Sequence, residues 1–217
     1  MTHPVGRVSL PGFPTSMSDS TAIERLLAYL PPDRAAAVLG GAPLPAHDVG
    51  AVLFSDISGF TPLTEAVIQR FGPRQGGEQF TDHLNTVYDA LIREATRFGG
   101  SIVGFAGDAM LVWFSGDDGA TAVTAGLQMQ RAMTRFAEIA LPGGETISLA
   151  MKVAVAAGPV RRLAVGDPHI QSLDVLAGTV LERVAACEGV AARGEIVVDD
   201  GIALRLGPRL QRSEERR

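Results

Sequence analysis

Three observations in this chain predict an α+β fold, with helices on one face of a mostly antiparallel sheet and a ferredoxin-like core. Short apolar runs ending at glycine turns alternate with longer stretches of helical periodicity. Their order is strand, two helices, hairpin, helix, hairpin, helix, strand. The hairpin signals then set neighbouring strands antiparallel.

Residues 1–47 read as a mobile arm followed by a helical lead-in. Thr21-Ala22-Ile23-Glu24 has the form of a capping box, and Leu26, Leu27 and Leu30 continue a helical face until Pro31-Pro32. A short helix over 33–39 leads into a loop. From Gly50 the pattern changes. Val52, Leu53 and Phe54 form a continuous apolar strand suited to a sheet centre. A helix over 61–71 breaks at Gly72-Pro73. The next helix carries Phe80, Leu84, Val87, Tyr88, Leu91, Ile92 and Ala95 on one face and ends at Gly99-Gly100.

Two strands, 101–105 and 109–114, join through Ala106-Gly107-Asp108 as a hairpin. A helix follows over 119–139. A strand over 149–157 is expected to turn at Gly158-Pro159 and return over 160–165. Residues 174–192 read as helix, 195–198 as a last strand, and 201–217 as an exposed tail or the start of a linker. The domain proper spans residues 48–200.

Composition excludes several function classes. A net charge of −5 argues against a nucleic-acid binder, which normally shows a basic stripe. No apolar run approaches the roughly 18 residues that a spanning helix needs, and residues 1–20 lack a secretory core. The single cysteine, Cys187, excludes an internal disulfide and reads as a small apolar filler. A cytoplasmic protein is expected. His83 and His169 have no second histidine or cysteine at metal-ligand spacing, so zinc is not implied.

The chemistry sits in two pieces. Ala51 to Thr61 and, about fifty residues on, Ala106-Gly107-Asp108-Ala109 each place an aspartate where an apolar strand meets a glycine turn. Two such carboxylates suit a hard divalent cation, and Mg²⁺ commonly takes one or two carboxylates plus substrate phosphates. Metal-dependent phosphate chemistry follows.

The motifs Phe54-Ser55-Asp56-Ile57-Ser58-Gly59-Phe60-Thr61 and Gly104-Phe105-Ala106-Gly107-Asp108 strongly resemble those of class III purine nucleotide cyclases, over roughly residues 48–200. The resemblance implies that Asp56 and Asp108 bind two Mg²⁺ or Mn²⁺ ions, with the Ile57 carbonyl completing one coordination shell. It implies substrate contacts at Ser58, Gly59, Phe60, Thr61 and Gly107, where a helix N-terminus can hold triphosphate oxygens. One ion would activate the ribose 3′-hydroxyl and the other would hold the β- and γ-phosphates while pyrophosphate leaves.

Other family positions do not match. Class III sites form between two domains, one of which supplies a base-reading lysine and aspartate and a transition-state asparagine and arginine. Here the lysine position is Gly104, and the asparagine and arginine positions are Leu181 and Ala185. Neither side chain can donate a hydrogen bond. Asp174 matches the base-reading aspartate, and N-capping of a helix is its other reading. This distribution resembles the first, metal-binding half of tandem soluble-type adenylyl cyclases. The bicarbonate-responsive lysine and arginine of that subfamily would fall on Gly104 and Val184, so that control does not carry over.

The implied substrate is ATP, with GTP the alternative. The implied partner is a second cyclase domain, in trans or in a longer chain, or a second copy of this one. The alternative to an enzyme is a degenerate half that binds nucleotide and metal and tunes a partner. Among other polar residues, Lys152 is expected on an outward strand face and Arg161-Arg162 on a solvated hairpin. Trp113 is expected in the core or at a dimer interface.

Overall fold

The structure is a computed structural model that describes residues 25–141, 144, 146–167 and 170–207. Its elements run α1 (Pro32–Gly40), β1 (His47–Ser58), α2 (Phe60–Arg97), β2 (Ser101–Ala106), β3 (Ala109–Ser115), α3 (Ala120–Met133), β4 (Ile139–Ala140), β5 (Thr146–Ile147), β6 (Ala150–Asp167), β7 (Gln171–Ala177), α4 (Thr179–Val190), β8 (Ile196–Val198) and α5 (Asp200–Leu206). The main sheet has the order β2-β3-β1-β6-β7, and β8 pairs with β6 in parallel. All its other pairings are antiparallel. The α+β architecture is therefore as expected.

Strand alternation sorts the core into two layers. Ala51, Leu53, Met110, Val112, Val153 and Val155 pack with α2, α3 and Ile202 on one face. Val52, Trp113, Ala154, Ala156 and Leu176 pack on the other with Val180, Val184 and Cys187 of α4. The main helices α2 and α3 thus share one face, whereas α4 lies across the opposite one, so the helices are not confined to the single face expected. Trp113 is wholly buried, so its place is the core. Burial, and then Asp199 and Asp200, raise the Cys187 thiol, in keeping with its role as filler.

The break expected at Gly72-Pro73 is present: Gly72, with φ at 78° and ψ at 168°, is non-helical and parts α2 into two helical stretches. Other local expectations change. The strand expected to end at Gly158-Pro159 instead continues to Asp167, and the hairpin to β7 comes after it. The reason lies in the direction of the amides. The Arg162 amide donates to the Ala46 carbonyl on the β1 side, whereas Val153 donates to Glu195 on the β8 side. By alternation the Pro159 nitrogen faces the β8/β7 side, at a stretch of β6 between those two partners. A proline is tolerated where no ladder bond is asked of it.

A further change concerns residues 174–177, expected to open a helix. They pair with β6, and the helix starts only after Gly178, whose φ of 144° breaks the strand. Residues beyond 200, expected to be exposed, begin with α5. Asp199 caps it by accepting from the Ile202 amide at 2.9 Å, and Ile202 is fully buried. The capping box at 21–24, His169 and the tail from 208 lie outside the described residues.

Candidate active site

The central strand β1 carries Asp56 to the end of the sheet. There it stands opposite Ala109 of β3 and Lys152 of β6. The β2–β3 turn is made by Gly107, with φ at 64°, and presents Asp108 to solvent. The Ile57 amide donates to the Asp108 carbonyl at 3.3 Å, which ties the turn to the strand end. Both motif aspartates are thereby fixed by neighbouring backbone.

Gly59 makes the next step possible. Its φ is 109°, and a Cβ there would lie 2.4 Å from the Ser148 carbonyl oxygen. No side chain caps the following helix α2. Because Pro62 has no N–H, the first turn offers the amides of Phe60 and Thr61. Such an N-terminus favours anions. The Ser58 hydroxyl donates to the Ala150 carbonyl at 3.2 Å, so it serves the β1–β6 seam.

Lys152 is a functional candidate that sequence reasoning placed outward. Its Nζ lies 3.4 Å from Asp56 Oδ2 and 2.5 Å from Glu188 Oε1 on α4. Glu188 first, and then Asp56, hold its ammonium above the usual lysine range. The strand alternation was readable, but the partner across β1 and β6 was not. Tyr88 completes the surroundings, stacked on Phe60 and edge-on to Phe105. Burial, then the charges of Asp108 and Asp56, push its phenol up.

Among the described residues no three histidine, cysteine or acidic side chains gather as a metal-binding group. The donors at this end are instead two accessible carboxylates from adjacent backbone segments, with Asp56 only partly buried. That set fits a hard cation which takes its remaining oxygens from phosphate and water.

Asp174 sits elsewhere on the same sheet face and does not cap a helix, because it lies within β7. Arg34 of α1 grips its carboxylate, with Nε at 2.9 and 3.2 Å from the two oxygens and Nη2 closer still. The next residue back, Asp33, takes the Arg162 guanidinium and the Ser101 hydroxyl. Arg162 is therefore a buried ion-pair partner rather than part of a solvated hairpin. Its placement follows from the register, which sets it beside Leu176 on the inward face. Between Asp174 and the Asp108 turn runs a cavity of about 260 Å³, floored by Phe54, Val103 and Leu111. Gly104 lies on its wall with nothing within 4 Å of where a Cβ would be, among the described residues. Val184 is buried in the core and Leu181 packs against it.

The arrangement can be set beside known proteins. No protein-family model matches the chain. Over 158 residues, 69% of the chain, it is 26% identical to adenylate cyclase type 10 of Mus musculus, and equally to that of Homo sapiens. The match spans 9% of the length of those relatives. Among solved structures, the adenylyl cyclase CyaB from P. aeruginosa superposes with a TM-score of 0.59 at 24% identity, covering 75% of this chain and 82% of that one. The guanylate cyclase domain of RhGC from Catenaria anguillulae, solved with GTP, gives 0.58 at 22% identity over 75% and 84%. The fold is that of class III cyclase domains. In it the two motif aspartates stand at one end of the sheet and Asp174 at another. Among the described residues no helix is long and apolar enough to cross a membrane.

Proposed function

We propose that this domain is the metal-holding half of a purine nucleotide cyclase, converting ATP to cAMP and pyrophosphate at an interface with a second cyclase domain. The carrying observation is the tie between Asp56 and the Asp108 turn through the Ile57 amide, beside an uncapped helix N-terminus. Two Mg²⁺ or Mn²⁺ ions held by Asp56 and Asp108 would supply Lewis-acid activation of the 3′-hydroxyl and neutralise phosphate charge. In the reaction the 3′-oxygen would bond to the α-phosphorus, the bond from that phosphorus to the α–β bridging oxygen would break to release pyrophosphate, and the hydroxyl proton would pass to water.

The chain's own residues bind and orient. The Phe60 and Thr61 amides and the Lys152 ammonium meet phosphate oxygens, and Gly59 keeps the approach clear. ATP is favoured over GTP by the similarity to adenylate cyclase type 10. The one cysteine and a nucleotide triphosphate substrate fit a cytoplasmic setting.

Gly104, Leu181 and Ala185 offer no polar side chain, which favours a requirement for a partner. Loss of such transition-state donors lowers turnover by about 10²–10³. The same gaps support a second reading, a degenerate half that binds nucleotide and tunes its partner. Mixing the chain with a complementary second-half cyclase domain separates the two. Metal-dependent cAMP formation that disappears in Asp56→Ala is the expected result. Partner activity that is altered by the chain yet indifferent to Asp56→Ala would establish the regulatory reading.

A further inference from the structure

We propose that α1 is a detachable latch which withholds Asp174 from nucleotide, Arg34 being the catch. This rests on the reading of Asp174 as a base contact and adds a regulatory step to it.

The latch is held by charge rather than by packing. No residue of α1 is buried. Several large apolar side chains in and before it are mostly exposed, Tyr29 by 87% and Leu39 by 69%. Beneath the preceding turn lies a cavity of about 280 Å³, between Tyr29 to Pro32 on one side and Ile92, Ile102 and Phe105 on the other. A segment that belonged to the core would close such a gap. What fastens α1 is two adjacent side chains. Asp33 reaches β2 and β6 through Ser101 and Arg162, and Arg34 reaches β7 through Asp174.

The seat also carries a sign of incompleteness. Arg162 has a side chain 3% exposed, and its Nη2 is buried without a hydrogen-bond partner among the described residues. A well-matched permanent contact would satisfy that donor. Meanwhile the Asp174 carboxylate is 9% exposed, although it lines the 260 Å³ cavity. An incoming purine edge can meet it only after Arg34 withdraws. Because the catch is an ion pair with no fully buried apolar side chain of α1 behind it, ligand binding and α1 docking compete for one carboxylate. Competition of this kind is a coupling free energy, readable from either side.

The test uses the whole 217-residue chain. Amide hydrogen exchange across residues 32–40 reports docking, and calorimetric titration with Mn²⁺·ATP and Mn²⁺·GTP reports affinity. In Arg34→Ala, exchange in α1 should rise by about tenfold or more while β1 and β3 keep their protection. Affinity for at least one of the two nucleotides should tighten about fivefold. That gain should vanish in the Arg34→Ala/Asp174→Ala double variant.

If Arg34→Ala does not fold, Asp33→Asn loosens the other anchor and should move both readouts the same way. Affinity that is unchanged or weaker in the folded variant overturns the latch. If that binding still requires Asp56, the cyclase reading survives the latch's failure. If neither nucleotide shows Asp56-dependent binding in any variant, both fall together.

Discussion

Asp56 and Asp174 lie on the same face of one sheet and differ in what holds them. Asp56 is fixed by backbone: a central strand, a glycine that no other residue can replace without a clash, and a neighbouring turn tied by an amide. Its side chain shares one lysine and remains partly open. Asp174 is fixed by a side chain from 140 residues away and is nearly closed. On the reading proposed above, the first would take a cation as it stands, whereas the second would first lose a partner. That reading assigns preorganisation and control to separate parts of one surface.

Disturbing the backbone-held end should have the largest effect. Gly59→Ala forces a non-glycine residue to a φ of 109° and drives its Cβ into Ser148. Strain of this kind costs about 1–3 kcal/mol, and Asp56-dependent nucleotide binding should fall with it. Thermal denaturation and Mn²⁺·ATP titration check this together. Unchanged stability would mean that the loop adjusts freely and the comparison is overdrawn.

Lys152→Met should split two affinities. Removing a cation 3.4 Å from Asp56 relieves repulsion of a bare metal ion and removes an attraction for phosphate. Free Mn²⁺ should bind as well or better, whereas Mn²⁺·ATP should bind about tenfold more weakly, the size of one charged hydrogen bond. A parallel change in both would place Lys152 outside the phosphate path.

The smallest effect is expected from pH. Burial alone would raise the Asp33 carboxyl, but the bonds from Arg162 and Ser101 outweigh it and hold the group below the usual range. A depressed carboxyl contributes stability that is fully present above its unfolded pKa of about 4 and is lost as pH falls through the lower folded value. Protection of α1 amides should therefore be level from about pH 5 to 8 and decline only below about pH 4. A fall between pH 6 and 8 would show that another group sets the latch.

The backbone-held end was the part legible in the sequence. Strand, aspartate, glycine and helix are consecutive there, so local chemistry suffices to place Asp56, Gly59 and Phe60. The second end was misread for a physical reason. Residues 175–177 carry apolar side chains that suit either period, and pairing with β6, invisible to local pattern, decided for strand. The same holds for Arg34, Arg162 and Lys152. Each finds its opposite charge on another element, and in the sequence a charged side chain carries no mark of its distant partner.

Pro159 has one more consequence. Between its stretches with β8 and β7, the outer edge of β6 would ordinarily invite a strand from another molecule to add on. The proline contributes no donor there, the Ala157 carbonyl accepts from Arg183 Nη2 at 2.6 Å, and the Ala157 amide faces Asp199 Oδ2 at 3.4 Å. This short edge of the longest strand is thus stoppered by side chains. An added strand would find no free ladder partner along this stretch of β6.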